Sequence, residues 1–238
     1  MYKIVKRIKS VLLSPFLIKD YLLFLSRDNK RFSLSIFDFY PCIKDKTIKT
    51  NFDAHYIYHT AWASRKVKEI GTNKHTDISS SLYFSSIVSA FVPVDFYDYR
   101  PAELNLSNFN SKHADLTKLP FPNDSVKSLS CMHTVEHIGL GRYGDSIDPD
   151  GDIKAISELK RVLTKDGSLL FVVPVGKPRI EFNAHRIYSY EQIEEYFKDF
   201  ELKEFSLITD NKKFIERADK NLVSEQKYGC GCFWFIKG

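Results

Sequence analysis

Apolar and polar positions change period several times along this chain, and each change marks an element. Ile4, Val5, Ile8, Val11 and Leu12 recur at helical spacing, with Lys3, Lys6, Arg7 and Lys9 between them. Pro15 breaks or kinks that helix. Leu17 to Leu25 is apolar, but Lys19 and Asp20 interrupt it, so it is too short and too charged to span a bilayer. Phe32, Leu34, Ile36 and Phe37 allow a short strand or an ordered arm. Tyr58, Ala61, Trp62 and Arg65 then fall within two turns of an amphipathic helix.

From Lys74 onward strands and helices alternate. Lys74-His75-Thr-Asp-Ile reads as a first strand running into the small-residue turn Ser79, Ser80 and Ser81, with a helix expected over Tyr83 to Ala90. A second strand begins near Val92 and ends at Asp98, just before Arg100-Pro101, and a short third follows Asn108. Val126 to Met132 is a short, partly apolar run without Gly or Pro, as a buried parallel strand requires. Ile153, Ile156, Leu159 and Leu163 outline a helix that Asp166-Gly167 is expected to end. Ser168 to Gly176 is continuously apolar, hence a strand buried on both faces. A helix over Tyr190 to Phe200 and strands over Leu202 to Thr209 and Cys230 to Lys237 complete the pattern. Asp210 to Lys227 reads as a charged, mobile connection. There is no internal repeat. The order predicts an α/β fold of Rossmann-like type. It has a mostly parallel central sheet, helices on both faces, and a basic N-terminal appendage over 1–54 ahead of the α/β domain of 55–238.

The candidate chemistry collects where strands end, the place at which an open α/β sheet binds its ligand. His133, Glu136 and His137 crowd the end of the fourth strand, followed by Gly139, Gly141, Arg142 and Tyr143. The loop after Ser168 to Gly176 carries Arg179, Glu181, Asn183, His185 and Arg186, which are expected to face the same cleft. The Ser79 to Ser81 turn stands where a nucleotide-binding domain normally has glycine. Serine is small and can cap the next helix, but it lacks glycine's freedom at positive φ. Asp98, about twenty residues on, is placed to accept ribose hydroxyls as a bidentate pair, and Asp95 is the alternative. The helix around Trp62 either packs over one end of the sheet or acts as a lid.

Charge narrows the classes of partner. The net charge of +5 is unevenly placed: residues 1–50 hold 11 Lys and Arg against 4 Asp, leaving 24 basic and 26 acidic residues in the remainder. A nearly neutral domain gives no sign of a nucleic-acid groove. The basic N-terminal segment 1–27 can lie on an anionic membrane surface, or dock on its own domain or on a partner. Four cysteines without zinc-like spacing are compatible with a reducing cytoplasm, and Cys230 and Cys232, on one strand face, read as core-packed thiols. Asp145, Asp148, Asp150 and Asp152 lack the ligand order of a calcium loop and read as a capping loop, so no metal centre is expected.

The ordered motifs resemble the class I S-adenosylmethionine-dependent methyltransferases. Asp115-Leu-Thr-Lys-Leu-Pro-Phe-Pro-Asn-Asp-Ser-Val looks like that family's adenine-side motif, and His133-Thr-Val-Glu-His-Ile like its fourth-strand motif. Within that superfamily the chain is similar to the domain of unknown function 268 family. The carrying residues are Asp53-Ala-His-Tyr with Trp62-Ala-Ser-Arg-Lys, then His137-Ile-Gly-Leu-Gly-Arg-Tyr-Gly-Asp, then Glu181-Phe-Asn-Ala-His-Arg. The family's turn resembles D-I-G-S, where this chain has Asp77-Ile-Ser-Ser.

The resemblance implies S-adenosylmethionine as cofactor. Asp98 would then hold the ribose, Asp115 and Leu116 the adenine side, and Asp77, Ser79 and Ser80 the methionine end. Transfer to oxygen needs a base, for which His137 and His185 are the candidates, with Glu136 orienting an imidazole and His133 beside them. Tyr58, Trp62, Arg65, Arg142, Tyr143, Arg179, Asn183 and Arg186 are the candidate acceptor contacts. The expected acceptor is a small molecule or a glycan, such as a surface-glycan precursor, and the expected location is the cytoplasm, at the inner face of the membrane. Two rivals stay open: a catalytically silent methyltransferase fold used as a scaffold, and another sugar-modifying enzyme built on the His and Glu cluster.

Overall fold

The computed structural model describes residues 15–27, 31–38, 40–42 and 45–238. The chain forms two compact units, Met1–Phe52 and Asp53–Gly238. In the first, helix α1 (Pro15–Arg27) begins at the proline, which is tolerated in a first helical turn because its missing N–H would be unpaired there anyway. The helix expected before Pro15 lies outside the described residues. The aromatic run near residue 36 forms a single 3₁₀ turn, Ile36–Asp38, and not a strand. Lys46 pairs with Asp20 at 3.5 Å. Among the described residues no helix is long and apolar enough to cross a membrane.

The second unit starts at α2 (Ala54–Ile70). Asp53 caps it, accepting from the Tyr56 N–H at 3.2 Å, and Gly71 ends it at φ 65°. Then follow β1 (His75–Ile78), α3 (Leu82–Val88), β2 (Val94–Asp98), β3 (Phe109–His113) and β4 (Val126–Met132). After β4 come α4 (Gly151–Val162), β5 (Leu163–Val175), the hairpin of β6 (Arg179–Glu181) and β7 (His185–Ile187), and α5 (Tyr190–Tyr196). The unit closes with β8 (Phe200–Ile208), β9 (Phe214–Ile215) and β10 (Gly229–Lys237). The main sheet runs β3-β2-β1-β4-β5-β10-β8-β9. The run β3-β2-β1-β4-β5 is parallel throughout, and β10 is antiparallel to both β5 and β8. Strand order reverses between β1 and β4, which opens a crevice at their carboxyl ends.

Two apolar layers cover the sheet. Trp62, Val67, Phe84 and Val88 of α2 and α3 pack with Met132, Leu170, Val172 and Cys230 on one face. Ile156, Leu159 and Val162 of α4 and Ile193 of α5 pack with Leu129, Cys131, Leu169 and Phe171 on the other. Each such side chain contributes roughly 1.5–3 kcal/mol of burial.

Three expectations need correction. The helix α4 ends at Val162, and Asp166-Gly167 sits inside the long β5, where Asp166 at φ 59° carries a register irregularity against β4. The loop after β5 contains a hairpin, β6–β7, too short to show as alternation. Asp210 to Lys227 is ordered: Phe214–Ile215 pairs with β8, and Asp210 accepts from the N–H groups of Lys227 and Tyr228 at 2.7 and 2.9 Å.

Candidate active site

The crevice widens into a cavity of about 360 Å³. Its floor is the Ser79–Ser81 turn after β1, its sides are Asp98, Tyr99 and Arg100 after β2 and Asp115–Thr117 after β3, and its far wall is Met132, His133, Thr134, His137 and Ile138. The turn is built without glycine, yet Ser79 adopts φ 54°. Its N–H donates to the Tyr97 carbonyl at 2.7 Å, and Thr134 Oγ1 donates to its carbonyl at 2.9 Å. Ser80 Oγ accepts from the Met132 N–H at 3.1 Å. Asp77 does not face the cavity. It is fully buried beneath the turn, where Ser85 donates at 2.5 Å and Ser130 donates to its other oxygen. Burial pushes the Asp77 carboxyl up to about 6, against hydrogen bonds from Ser130, Ser80 and Ser85.

The acidic pair expected at the strand ends reaches the cavity. One Asp98 oxygen accepts from the Arg100 N–H at 2.7 Å, which fixes the carboxylate and leaves its second oxygen for a ligand. Asp115 Oδ1 likewise accepts from Thr117, by N–H at 2.8 Å and hydroxyl at 2.7 Å. Asp95 is engaged elsewhere, by Lys74 at 2.5 Å and Asn110 at 3.0 Å.

His133 leaves β4 at φ 54°, and a 3₁₀ turn, Val135–His137, follows. Glu136 is buried between two imidazoles, with Oε1 2.9 Å from His133 Nδ1 and 3.7 Å from His137 Nε2. Burial raises the Glu136 carboxyl to about 7 and lowers His133 to about 4, so their contact is a hydrogen bond from a neutral imidazole and not an ion pair. His137 donates from Nδ1 to the Ala184 carbonyl at 2.6 Å, which leaves Nε2 as the bare nitrogen. Burial also lowers the His137 pKa.

Several predicted contacts are placed elsewhere. Trp62 is buried under the sheet and donates to Glu204 at 2.8 Å; Tyr58 stacks on Phe214 at 5.5 Å; Arg65 bonds the Ala61 carbonyl. The helix α2 is therefore a packing helix, with only Tyr56 lining the cavity. Arg186 is buried and structural, donating to the carbonyls of Ile138 at 2.6 Å and Pro149 at 3.1 Å and lying 3.4 Å from Asp152. Arg179 is held by Glu181 at 2.8 Å and by the Lys227 carbonyl at 2.9 Å. Asn183 is exposed at the hairpin tip. His185 stands behind His137, ring centroids 6.3 Å apart, with Nε2 3.3 Å from Glu181 in poor hydrogen-bond alignment. Arg142 braces the rim, donating to the Ala184 carbonyl at 3.0 Å and lying over Tyr143, which does line the cavity.

The sequence reading missed Tyr56, Tyr99, Arg100, Asp145 and Asp148 as lining residues. Tyr56 lies inside the Asp53-Ala-His-Tyr motif, which was the available signal. Asp145 accepts from the N–H groups of Gly139 and Gly141 at 2.8 and 3.3 Å and folds the rim loop back onto the cavity. Gly139, at φ 80°, is required there: a Cβ would stand 2.0 Å from the Asp148 carbonyl oxygen.

No curated protein matches the chain. Among solved structures, the YcgJ protein from Bacillus subtilis is similar at 14% identity with a TM-score of 0.54, over 76% of this chain and 98% of that one. A 1,6-didemethyltoxoflavin-N1-methyltransferase from Burkholderia thailandensis, solved with bound 1,6-didemethyltoxoflavin and S-adenosylhomocysteine, is similar at 10% identity with a TM-score of 0.52, over 76% of this chain and 78% of that one. At these identities the fold is what is shared, that of the class I S-adenosylmethionine-dependent methyltransferases. The model of the family described as Caenorhabditis protein of unknown function, DUF268, matches residues 94–229, more than half of the chain. The chain therefore belongs to the DUF268 family, on a Rossmann-like methyltransferase fold.

Proposed function

We propose that the protein is an S-adenosylmethionine-dependent methyltransferase that methylates a hydroxyl oxygen of a sugar or surface-glycan precursor. The observation that carries this reading is one cavity that holds both the Ser79–Ser81 turn with Asp98 and Asp115 and, on its opposite wall, His137. The residues fit the cofactor. Ser79 takes the left-handed conformation that the turn demands, and Asp98 and Asp115 each keep one carboxylate oxygen outside the hydrogen bonds that anchor the other. The Asp98 oxygen would accept from the ribose hydroxyls, the Asp115 to Thr117 segment would border the adenine, and the serine turn would border the methionine end. When bound, S-adenosylmethionine supplies an electrophilic methyl group.

The protein's own part is alignment and proton removal. His137 Nε2 takes the proton of the acceptor hydroxyl, and the buried Glu136 carboxylate, 3.7 Å away, stabilises the imidazolium that results. The Ala184 carbonyl fixes the tautomer from the other side of the ring. Tyr56, Tyr143 and Arg100, which stacks on Tyr143 at 4.7 Å, supply the aromatic faces and donors that suit a hydroxyl-rich acceptor. All four cysteines are free thiols, which supports a reducing, cytoplasmic setting.

Calorimetric titration with S-adenosylmethionine and S-adenosylhomocysteine tests the reading. The expected result is micromolar binding that Asp98→Ala weakens at least tenfold. No heat from either ligand, with the fold verified by circular dichroism, sinks it. The strained Ser79 favours one alternative, a binding module without turnover. Cofactor binding combined with no methyl transfer to any hydroxylated acceptor in a radiolabelled screen would select it.

A further inference from the structure

We propose that His55, His133 and Cys230 form a site for a zinc-class divalent cation at the wall of the cavity, with Cys230 bound as thiolate. One ligand atom from each lies within 4.8 Å of the others, although the three residues come from α2, the end of β4 and β10. His133 Nε2 and Cys230 Sγ are already 3.3 Å apart. Metal–nitrogen bonds of about 2.0 Å and metal–sulfur bonds of about 2.3 Å place tetrahedral ligands roughly 3.5 Å apart, so the cluster closes with a shift of about 1 Å. Two nitrogens and a sulfur suit zinc and exclude the oxygen-seeking magnesium and calcium.

The surroundings are those of a metal-binding imidazole. His133 directs Nδ1 at the buried Glu136 carboxylate at 2.9 Å, which raises the basicity of Nε2 and fixes the ring. His59 donates from Nδ1 to the His55 carbonyl at 2.6 Å, so its Nε2 carries a lone pair. That Nε2 is fully buried and has no hydrogen-bond partner among the described residues, and its ring centroid lies 5.0 Å from that of His133. Of the three residues, His133 lines the cavity. On metal binding the Cys230 thiol proton passes to solvent and the sulfur lone pair to the metal.

The rival is a plain thiol-to-imidazole hydrogen bond. The test uses the full, untagged chain, stripped with chelator and titrated with cobalt(II) alone. The expected spectrum has the visible bands of tetrahedral cobalt and a near-ultraviolet thiolate-to-cobalt band, saturating at one ion per chain. Cys230→Ser should lose the charge-transfer band and bind at least tenfold more weakly, as should His55→Ala in affinity. Cys131→Ser, a buried thiol in the opposite core layer, should keep both. Absence of the thiolate band in the wild-type chain, or its persistence in Cys230→Ser, overturns the site. The readout is independent of methyl transfer, so it stands or falls apart from the proposed enzymatic activity.

Discussion

Ser79 concentrates the main tension of the chain in one residue. The turn after β1 needs a left-handed backbone, and a side chain there costs about 1–2 kcal/mol. Its hydroxyl recovers part of that cost by donating to the Tyr97 carbonyl at 3.2 Å. Comparing two variants that both lose the hydroxyl isolates the backbone contribution. Ser79→Gly is expected to be more stable than Ser79→Ala by about 1 kcal/mol, read from urea unfolding midpoints. Equal midpoints would mean that the turn relaxes out of positive φ. At this scale the sequence was informative where spacing from a strand end sets position, as for Asp98, Asp115 and His137. It was uninformative where a side chain's partner comes from distant chain. Arg186 was expected at the cleft because it leaves a strand end, but Asp152 and the Ile138 carbonyl draw it inward. Trp62 was read as an acceptor contact because aromatic helices can be lids, yet Glu204 on β8 claims its indole N–H.

At the scale of elements, a buried polar network joins β1, β4 and α3 through His75, Ser128, Ser130, Asp77 and Ser85. Asp77, raised to about 6 by burial, binds a proton in the folded state that the unfolded chain releases near 4, so its contribution weakens folding as pH rises through that interval. His75, lowered by burial to about 3, acts with the opposite sign over nearly the same range, so a plain pH profile would blur the two. The difference between wild type and Asp77→Asn separates them. Wild type should gain on the variant as pH falls from about 6 to about 4, by at most roughly 1.4 kcal/mol per pH unit. A flat difference would show that Asp77 is not neutralised on burial. The rim loop makes a second case. Gly139 lies against the Asp148 carbonyl, so Gly139→Ala must displace the loop. A loss of about 2 kcal/mol in stability, with weaker S-adenosylhomocysteine binding, is expected from urea unfolding and calorimetry. Unchanged binding would separate the loop from the cavity. The β6–β7 hairpin behind this loop escaped sequence reading because three-residue strands leave no measurable period, whereas the long runs of β5 and β10 were plain.

Among the described residues, all that line the cavity belong to the Asp53–Gly238 unit, and no single element supplies it: the turn after β1, the ends of β2 to β4 and the rim loop all contribute. The parallel order of that sheet was legible because alternating strands and helices admit few topologies. The convergence of α2, β4 and β10 on His133 was not, because linear spacing carries no record of which strand inserts between β5 and β8. A ligand that depends on so many elements binds only the folded state, so its binding free energy adds to the stability of the unit. S-adenosylhomocysteine at a hundred times its Kd should add about 2.7 kcal/mol. For a unit of this size that corresponds to a rise in Tm of roughly 5–10 °C. Asp98→Ala at the same ligand concentration should show a rise smaller by about half, since a tenfold loss of affinity removes about 1.4 kcal/mol. A wild-type Tm that does not move under calorimetric saturation would mean that the bound ligand contacts the unfolded chain equally, and the assembled cavity would then not be its site.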